Sequence, residues 1–182
     1  MSIAACPSTD GNIFAEWSIE IGAHASFEAS PRQASGHKLG AMRALVQRCS
    51  QAAVDVEGTR VAQIKAGMVV LLGVKVGDTE AECDRLAEKV LALRIFDDAE
   101  GRMNEALGSE REILCVSQFT LYGDTRKGTR PSYIKAARPE VAEPLYDRFC
   151  ERTGAKKGVF GACMGVALIN DGPVTVMVEV EP

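Results

Sequence analysis

A short polar stretch, SQFTL at residues 117–121, follows the apolar run EILCV. Ser117, Gln118 and Thr120 offer hydroxyls, an amide and backbone N–H groups where we predict that a buried strand ends. Donors fixed in this way can stabilise the oxyanion of an acyl-transfer reaction, because they need not reorganise while the reaction proceeds. The same groups would also satisfy a frayed strand end, and on this stretch alone that structural interpretation is favoured.

A second stretch, NDGPVT at residues 170–175, separates two apolar runs. Asn, Asp, Gly and Pro in succession are typical of a turn between strands. The proline stands where the next strand must begin, so the stretch could instead hold a rigid backbone feature for a purpose. On these residues alone a hairpin turn is favoured.

Basic residues concentrate in the loop at residues 124–138, which contains a single acidic residue. Tyr133 adds a ring for stacking. The chain as a whole has a net charge of −4, which argues against a general DNA-coating protein. The loop is either a patch for nucleic-acid phosphates or a solvated loop, and its candidate phosphate contacts are Arg126, Lys127, Arg130 and Lys135.

Both histidines, His24 and His37, precede residue 42. The rest of the chain therefore lacks the imidazole of a Ser-His-Asp or Cys-His arrangement, and it lacks any histidine ligand for a metal. The six cysteines include no Cys-x-x-Cys pair. This favours free, buried thiols in a reducing cytoplasm over a disulfide or zinc framework.

The hydrophobic pattern predicts the elements that must position these stretches. Strands are predicted over RALVQR, AAVDVEG, GTRVAQI, GMVVLLGV, EILCVSQF, GVFGACMGVALIN and VTVMVEV, with a hairpin through Gly58. A first helix follows a capping box of Thr79 and Glu82, with apolar residues at helical spacing: Cys83, Leu86, Val90 and Leu93.

A second helix is predicted to start at Pro139, to bend at Pro144 and to stop at Gly154. Seven strands and two helices indicate a single domain of the α/β class, bordering on α+β, with layered mixed β-sheets. The predicted folded domain spans residues 42–182. Residues 1–41 lack a sustained period, and we predict a disordered extension, a tag or a mis-start, with Met42 as the functional start.

No window approaches the roughly 18 consecutive apolar residues of a membrane span. The start of the chain also lacks the basic and apolar regions of a secretory signal. We therefore expect a cytoplasmic protein.

Taken together, SQFTL and NDGPVT resemble the paired signatures of the D-aminoacyl-tRNA deacylase family. The opening MRALVQR, the VLLGV strand, the RIF-D-EG-MN segment and RPSY-KAA are similar to that family in order and spacing. The resemblance covers Met42–Pro182 and leaves out the residues before it.

The resemblance implies a hydrolase of the ester that joins a D-amino acid to the 3′ end of tRNA, and of glycyl-tRNA mischarged on alanine tRNA. This is a proofreading step of translation quality control. The resemblance further implies a cytoplasmic homodimer that needs no metal or cofactor and has no membrane or DNA partner. The backbone N–H groups of Phe119 and Thr120 would stabilise the oxyanion, and Ser117 and Gln118 would shape the pocket. The 2′-hydroxyl of the terminal adenosine would assist the attacking water.

In the family the Gly-Pro bond of the second motif is cis, and the motif reaches into the partner's active site. Gly172 and Pro173 would then present two carbonyls that reject an L side chain and admit D-amino acids and glycine. Asn170 and Thr175 would brace the motif by hydrogen bonds. Arg48 would help to orient the carbonyls, whereas its pattern alone indicates a surface arginine on an early strand.

Three other interpretations remain open. Thr120 could act as a nucleophile, although no base is obviously placed to take its proton. The chain could be a tRNA- or RNA-binding module without turnover, which would use the basic loop. A cysteine-dependent hydrolase is weakened by the lack of a histidine partner.

Overall fold

A computed structural model describes residues 41–181, where one long strand organises a mixed β-sheet. The two histidines and the extension predicted at residues 1–41, apart from Ala41, lie outside the described residues. In chain order the elements are β1 (Met42–Val56), β2 (Thr59–Ile64), β3 (Gly67–Gly73), α1 (Glu80–Leu91), β4 (Phe96–Asp97), β5 (Met103–Glu105), β6 (Glu112–Ser117), a 3-10 helix (Phe119–Tyr122), α2 (Pro139–Thr153), β7 (Lys156–Lys157) and β8 (Gly165–Val180).

The long strand β1 lies inside the six-stranded sheet. Along one edge it pairs antiparallel with β3 and then with β2, and along the other edge it pairs antiparallel with β8. β6 is parallel to β3, and β7 is parallel to β6. A mixed sheet with two α-helices confirms the predicted layered fold at the border of α/β and α+β.

Two predicted breaks between strands are bulges within continuous strands. RALVQR and AAVDV belong to the single strand β1, whose register against β8 shifts on either side of Cys49. NDGPVT likewise lies within β8, so the hairpin-turn interpretation is wrong. A bulge adds residues without ending the pairing, and the interrupted alternation therefore looked like a strand end.

The last predicted strand before that motif begins later than expected. GVFGACMGVALIN enters β8 only at Gly165, and residues 158–164 lie outside any strand. A Cβ atom at Gly158 would lie 2.7 Å from the Met164 sulfur, and Gly161 has a φ of 73°. The chain folds back on itself here, which a strand cannot do.

The hairpin through Gly58 and both helices are confirmed. β1 and β2 are joined by Glu57 and Gly58, both with positive φ, as a two-residue hairpin turn requires. Thr79 and Glu82 form the capping box of α1. The apolar face of α1 is buried through Cys83, Leu86 and Val90, and Leu93 packs on the same core just beyond the helix.

α2 starts at Pro139 and ends before Gly154, which has a left-handed φ of 65°. It continues through Pro144, and the bend expected there stays a prediction. Arg148 of α2 donates two hydrogen bonds to the Asp84 carboxylate of α1, at 2.8 and 2.7 Å, and so ties the helices together.

The main core fills the space between the sheet and the two helices. Its fully buried members include Val46, Val70, Leu86 and Phe149. A smaller apolar cluster lies on the other face of the sheet, where Val54, Ile64, Val69, Leu114 and Val116 are buried.

The predicted free thiols are confirmed at Cys49, Cys83, Cys115 and Cys150, which are all buried. Cys163 is disulfide-bonded, so the prediction is wrong at this position. Cys6 lies outside the described residues. Within residues 41–181, no helix is long and apolar enough to cross a membrane.

Candidate active site

The SQFTL stretch forms a tight turn at the end of β6, which we call the 117–121 turn. Ser117 is the last residue of β6 and pairs with Leu72 of β3. The Gln118 N–H still donates to the Leu72 carbonyl at 2.7 Å, and the chain then enters the 3-10 helix. The strand therefore ends two residues before Phe119, where the sequence pattern placed its end.

Two backbone donors at the start of this helix are free. Among residues 41–181, neither the Phe119 nor the Thr120 N–H donates to a carbonyl or side chain, because both precede the internal bonds of the helix. Both residues are exposed. Two neighbouring free N–H groups on a fixed turn are the arrangement that an oxyanion requires.

The turn rests on a buried tyrosine that sequence reasoning missed. The Tyr122 hydroxyl donates to the carbonyls of Ala41 at 2.8 Å and Gly73 at 3.1 Å. Burial raises the pKa of Tyr122 well above its usual value, so the hydroxyl stays protonated. A Cβ atom at Gly73 would lie 2.9 Å from the tyrosine ring and 3.3 Å from the Gln118 carbonyl. The glycine that closes the VLLG run was the available signal, since glycine in a strand often marks a close approach.

An aromatic pair flanks the exposed side of the turn. The rings of Phe119 and Tyr133 meet edge to face, with centroids 5.0 Å apart. The segment after Tyr133 is bonded to the chain that directly follows β3, because the Val76 N–H donates to the Lys135 carbonyl at 3.0 Å and the Ala137 N–H to the Val74 carbonyl at 2.9 Å. The loop at residues 124–138 thus contacts the turn through Tyr133, whose ring lies against that of Phe119.

The surroundings of Thr120 do not favour a nucleophilic role. Within the described residues, the hydrogen-bond partner of its hydroxyl is the Gln118 side-chain amide, which donates to Thr120 Oγ1. An amide is not a base, so this partner cannot take the hydroxyl proton. The Ser117 side chain lies half-buried at the end of β6.

The NDGPVT stretch is a bulge on β8, at which four residues, 171–174, lie opposite the single residue Arg48. Asp171, Gly172 and Pro173 are exposed, and the Gly172–Pro173 peptide bond is cis. The bulge lifts three residues away from the sheet, where their carbonyls can meet another molecule.

Two polar side chains close the bulge. Asn170 accepts a hydrogen bond from the Val174 N–H at 3.0 Å and donates to the Thr175 hydroxyl at 2.8 Å. Gln47 of the neighbouring strand donates to the same hydroxyl at 3.3 Å. Asn170 and Thr175 are thus hydrogen-bonded to each other across the bulge, and their role in substrate selection stays a prediction.

Arg48 is buried beneath the bulge with only 7% of its surface exposed, so the surface-arginine interpretation is wrong. Its Nε donates to the Asp171 carbonyl at 3.1 Å and lies 3.2 Å from the Asp171 carboxylate. Its Nη1 donates to the Ile95 carbonyl at 2.9 Å and to the Asp97 carboxylate at 3.2 Å. The guanidinium thus holds the main chain directly before Gly172.

Gly172 has no space for a side chain. Its φ is +117°, and a Cβ atom would lie 2.7 Å from Val174 Cγ2 and 3.1 Å from Arg48 Nη2. Glycine is therefore required at this position both by conformation and by space.

One chain does not bring the two motifs together. Across the sheet, Ser117 of β6 pairs with Leu72 of β3, which pairs with Ala44 of β1. The bulge lies on β8, three strands away from β6, and stands opposite Arg48 of β1. The four residue steps from Ala44 to Arg48 alone span about 13 Å along β1. A single ester cannot touch both motifs of the same chain.

The four candidate phosphate contacts divide into two kinds. Arg126 and Lys135 share the carboxylate of Asp124, whose pKa is lowered mainly by the Arg126 hydrogen bonds. Lys127 and Arg130 are exposed and have no ion-pair partner among the described residues. Asp124 thus offsets part of the positive charge of the loop. Within the described part of the chain, Lys127 and Arg130, which we call the basic tip, keep their charge unpaired. Lys156 and Lys157, which follow α2, are paired with Glu112 and Asp147.

Comparison with known proteins gives consistent matches over the same region. The family model described as D-Tyr-tRNA(Tyr) deacylase matches residues 45–179. A protein of Myxococcus xanthus named D-aminoacyl-tRNA deacylase is 53% identical over 144 residues, which cover 76% of this chain and 94% of the relative. One of the same name from Roseiflexus castenholzii is 54% identical, over 76% of this chain and 92% of the relative.

Two solved structures share the fold. The c-Myc DNA Unwinding Element Binding Protein superimposes with a TM-score of 0.73 at 39% identity, over 78% of this chain and all of that one. A probable eukaryotic D-amino acid tRNA deacylase gives a TM-score of 0.67 at 20% identity, again over 78% of this chain and all of that one. At that identity the similarity concerns the fold alone.

Replacing the buried arginine tests its role under the bulge. We expect Arg48→Met to lower the free energy of unfolding by about 1–3 kcal/mol, because two carbonyls and two carboxylates lose their donor. Arg60→Met is the matched control, since it removes an exposed ion pair with Asp55 and should cost less than about 1 kcal/mol. Urea unfolding measures both values. Equal losses in the two variants would show that Arg48 is an ordinary surface arginine.

Proposed function

The chain belongs to the D-aminoacyl-tRNA deacylase family of ester hydrolases, and we propose that it hydrolyses the ester between a D-amino acid and the 3′ end of tRNA. The products are the free D-amino acid and intact tRNA. The observation that carries the proposal is the family match over residues 45–179, which includes both the 117–121 turn and the 170–175 bulge. Glycine mischarged on alanine tRNA is a second proposed substrate. Because aminoacyl-tRNA is used where translation takes place, we propose a cytoplasmic proofreading role.

The free N–H groups of Phe119 and Thr120 are the proposed oxyanion donors. Water attacks the ester carbonyl, the carbonyl oxygen becomes an oxyanion bound by the two N–H groups, and the bond to the ribose 3′ oxygen then breaks. The departing oxygen takes up a proton as the acid product forms. In this proposal the neighbouring 2′-hydroxyl of the terminal adenosine positions the water, so the protein needs no side-chain base. The Gln118 amide next to Thr120 Oγ1 supports this mechanism over an acyl-enzyme on Thr120.

We propose that the active site is completed by a second copy of the chain. The separation of the two motifs along the sheet supports this, since one protomer would supply the turn and its partner the bulge. An apolar row on the outer face of the sheet also supports a homodimer. The directly paired residues Met177, Leu45 and Leu71 point to that face, and Met177 is 45% exposed.

The bulge is the proposed filter for chirality. The carbonyls at Gly172 and Pro173 would lie against the α-carbon of the amino acid, so that an L side chain collides with them while a D side chain points away. Glycine has no side chain and passes. The ties from Arg48, Asn170 and Thr175 support this role, because rejection by contact requires carbonyls that do not move.

The basic tip of the loop at residues 124–138 is the proposed contact with the phosphates of the acceptor end. Lys127 and Arg130 are the better candidates, because Arg126 and Lys135 share the charge of Asp124. The exposed ring of Phe119, which carries one of the oxyanion donors, meets the half-buried ring of Tyr133 in this loop. The terminal nucleotide would thus enter beside the aromatic pair.

Matched D- and L-tyrosyl-tRNA test the activity directly. We expect the purified chain to release D-tyrosine and to leave the L-ester intact over the same time, because only the L side chain meets the bulge. Release of amino acid from labelled esters measures both reactions. A protein that binds both tRNAs and cleaves neither would be an RNA-binding module, and one that is stopped by alkylation of thiols would use cysteine chemistry.

Substitutions in the turn separate backbone from side-chain catalysis. Phe119→Pro removes one free N–H and should lower kcat about 10²–10³-fold, the usual cost of one oxyanion donor. Phe119→Ala loses the ring but keeps the N–H, and Thr120→Ala loses the hydroxyl but keeps the N–H, so both should retain most of the rate of hydrolysis. Single-turnover rates with D-tyrosyl-tRNA measure the difference. A folded Thr120→Ala variant without activity would contradict this mechanism.

A further inference from the structure

The 3-10 helix that carries the proposed oxyanion donors has little internal support. It is only four residues long, and at its two ends the Leu121 N–H donates to the Gln118 carbonyl at 3.3 Å and the Gly123 N–H to the Thr120 carbonyl at 2.9 Å. Such short helices have poor hydrogen-bond geometry. The orientation of the Phe119 and Thr120 N–H groups therefore depends on contacts from outside the turn.

Arg43 supplies a contact at the carboxyl end of the turn. Its Nη1 donates to the Leu121 carbonyl at 2.9 Å. Arg43 is the second residue of β1 and pairs with Gly73 of β3 and with Glu179 of β8, so its side chain starts from a backbone that is paired on both sides. The carbonyl that it binds belongs to the last residue of the 117–121 turn.

Two further contacts hold the guanidinium of Arg43 in place. Its Nε lies 2.6 Å from a carboxylate oxygen of Glu179, which is directly opposite Arg43 on β8, and the two form an ion pair without hydrogen-bond geometry. Its Cζ lies 5.0 Å from the centre of the Tyr122 ring. A planar guanidinium can bind a carboxylate, a carbonyl and a ring at once, whereas a lysine ammonium cannot keep this plane.

We propose that Arg43 is a positioning residue for ester hydrolysis. If the proposed function holds, Arg43 fixes the 117–121 turn so that the Phe119 and Thr120 N–H groups meet the developing oxyanion. Glu179 pairs with the guanidinium and thereby links the 117–121 turn to β8, the strand that carries the bulge. Arg43 acts through the Leu121 carbonyl and does not itself touch the reacting atoms.

The substitution Arg43→Met tests this role by removing the charge and the donor. Displaced donors weaken the binding of the transition state more than that of the bound ester, so we expect kcat to fall about tenfold and KM to stay within about twofold. Arg43→Lys should recover part of the lost kcat, because an ammonium can still donate to the Leu121 carbonyl. Glu179→Gln should lower kcat about threefold with KM unchanged, since the guanidinium keeps the carbonyl but loses its charged partner.

The matched control is Arg148→Met, which breaks the ion pair between the two helices far from the turn. It should lower the melting temperature and leave kcat within about twofold. Steady-state hydrolysis of D-tyrosyl-tRNA and thermal unfolding measure all four variants. If Arg43→Met keeps its kcat, or if Glu179→Gln has no effect on kcat, the inference is wrong while the proposed function stands. A wild-type protein that does not cleave D-tyrosyl-tRNA would overturn both.

Discussion

Strand register keeps the two motifs of this chain apart. Ser117 is aligned with Leu72 and Ala44, and the Gly172 bulge is aligned with Arg48, so the paired backbone fixes their separation. Sheet pairing of this length does not slip, because a shift by one residue would turn every buried side chain to the wrong face. This separation is the reason for proposing that two copies of the chain form each site.

The chemistry of the proposed site is carried by main-chain atoms, and the side chains around it hold these atoms still. Arg48 binds the carbonyl before Gly172, and Asn170 closes the bulge from the other side. Tyr122 supports the turn from beneath. Backbone groups have no pKa to tune, so their effect depends on placement alone, and the buried contacts serve that placement.

The sequence predicted the elements with strong local signals and missed the features that depend on tertiary contact. The capping box at Thr79, the stop at Gly154 and the hairpin at Gly58 are local, and all three were correct. The continuity of β8 through NDGPVT could not be predicted, because a bulge and a turn share the same residues and differ only in the pairing with β1.

The candidate site shows the same division. The residues of both motifs could be named from the sequence, because the family resemblance supplied their roles. The burial of Arg48 could not, since its neighbours Asp97 and Asp171 are distant in the chain. Tyr122 was missed for the same reason, as the carbonyls of Ala41 and Gly73 accept its hydrogen bonds only in the folded sheet.

Hybrid dimers test most directly whether two copies form each site. A Gly172→Ala protomer has an intact turn, but its added Cβ displaces the bulge, and the displaced bulge should admit L-esters. A Phe119→Pro protomer has a disabled turn and an intact bulge. Mixed with an excess of the Phe119→Pro protomer, the Gly172→Ala protomer should cease to cleave L-tyrosyl-tRNA while it still cleaves D-tyrosyl-tRNA, because its turn now faces an intact bulge. Unchanged cleavage of the L-ester in the hybrid would mean that each chain uses its own bulge, and the account would be contradicted.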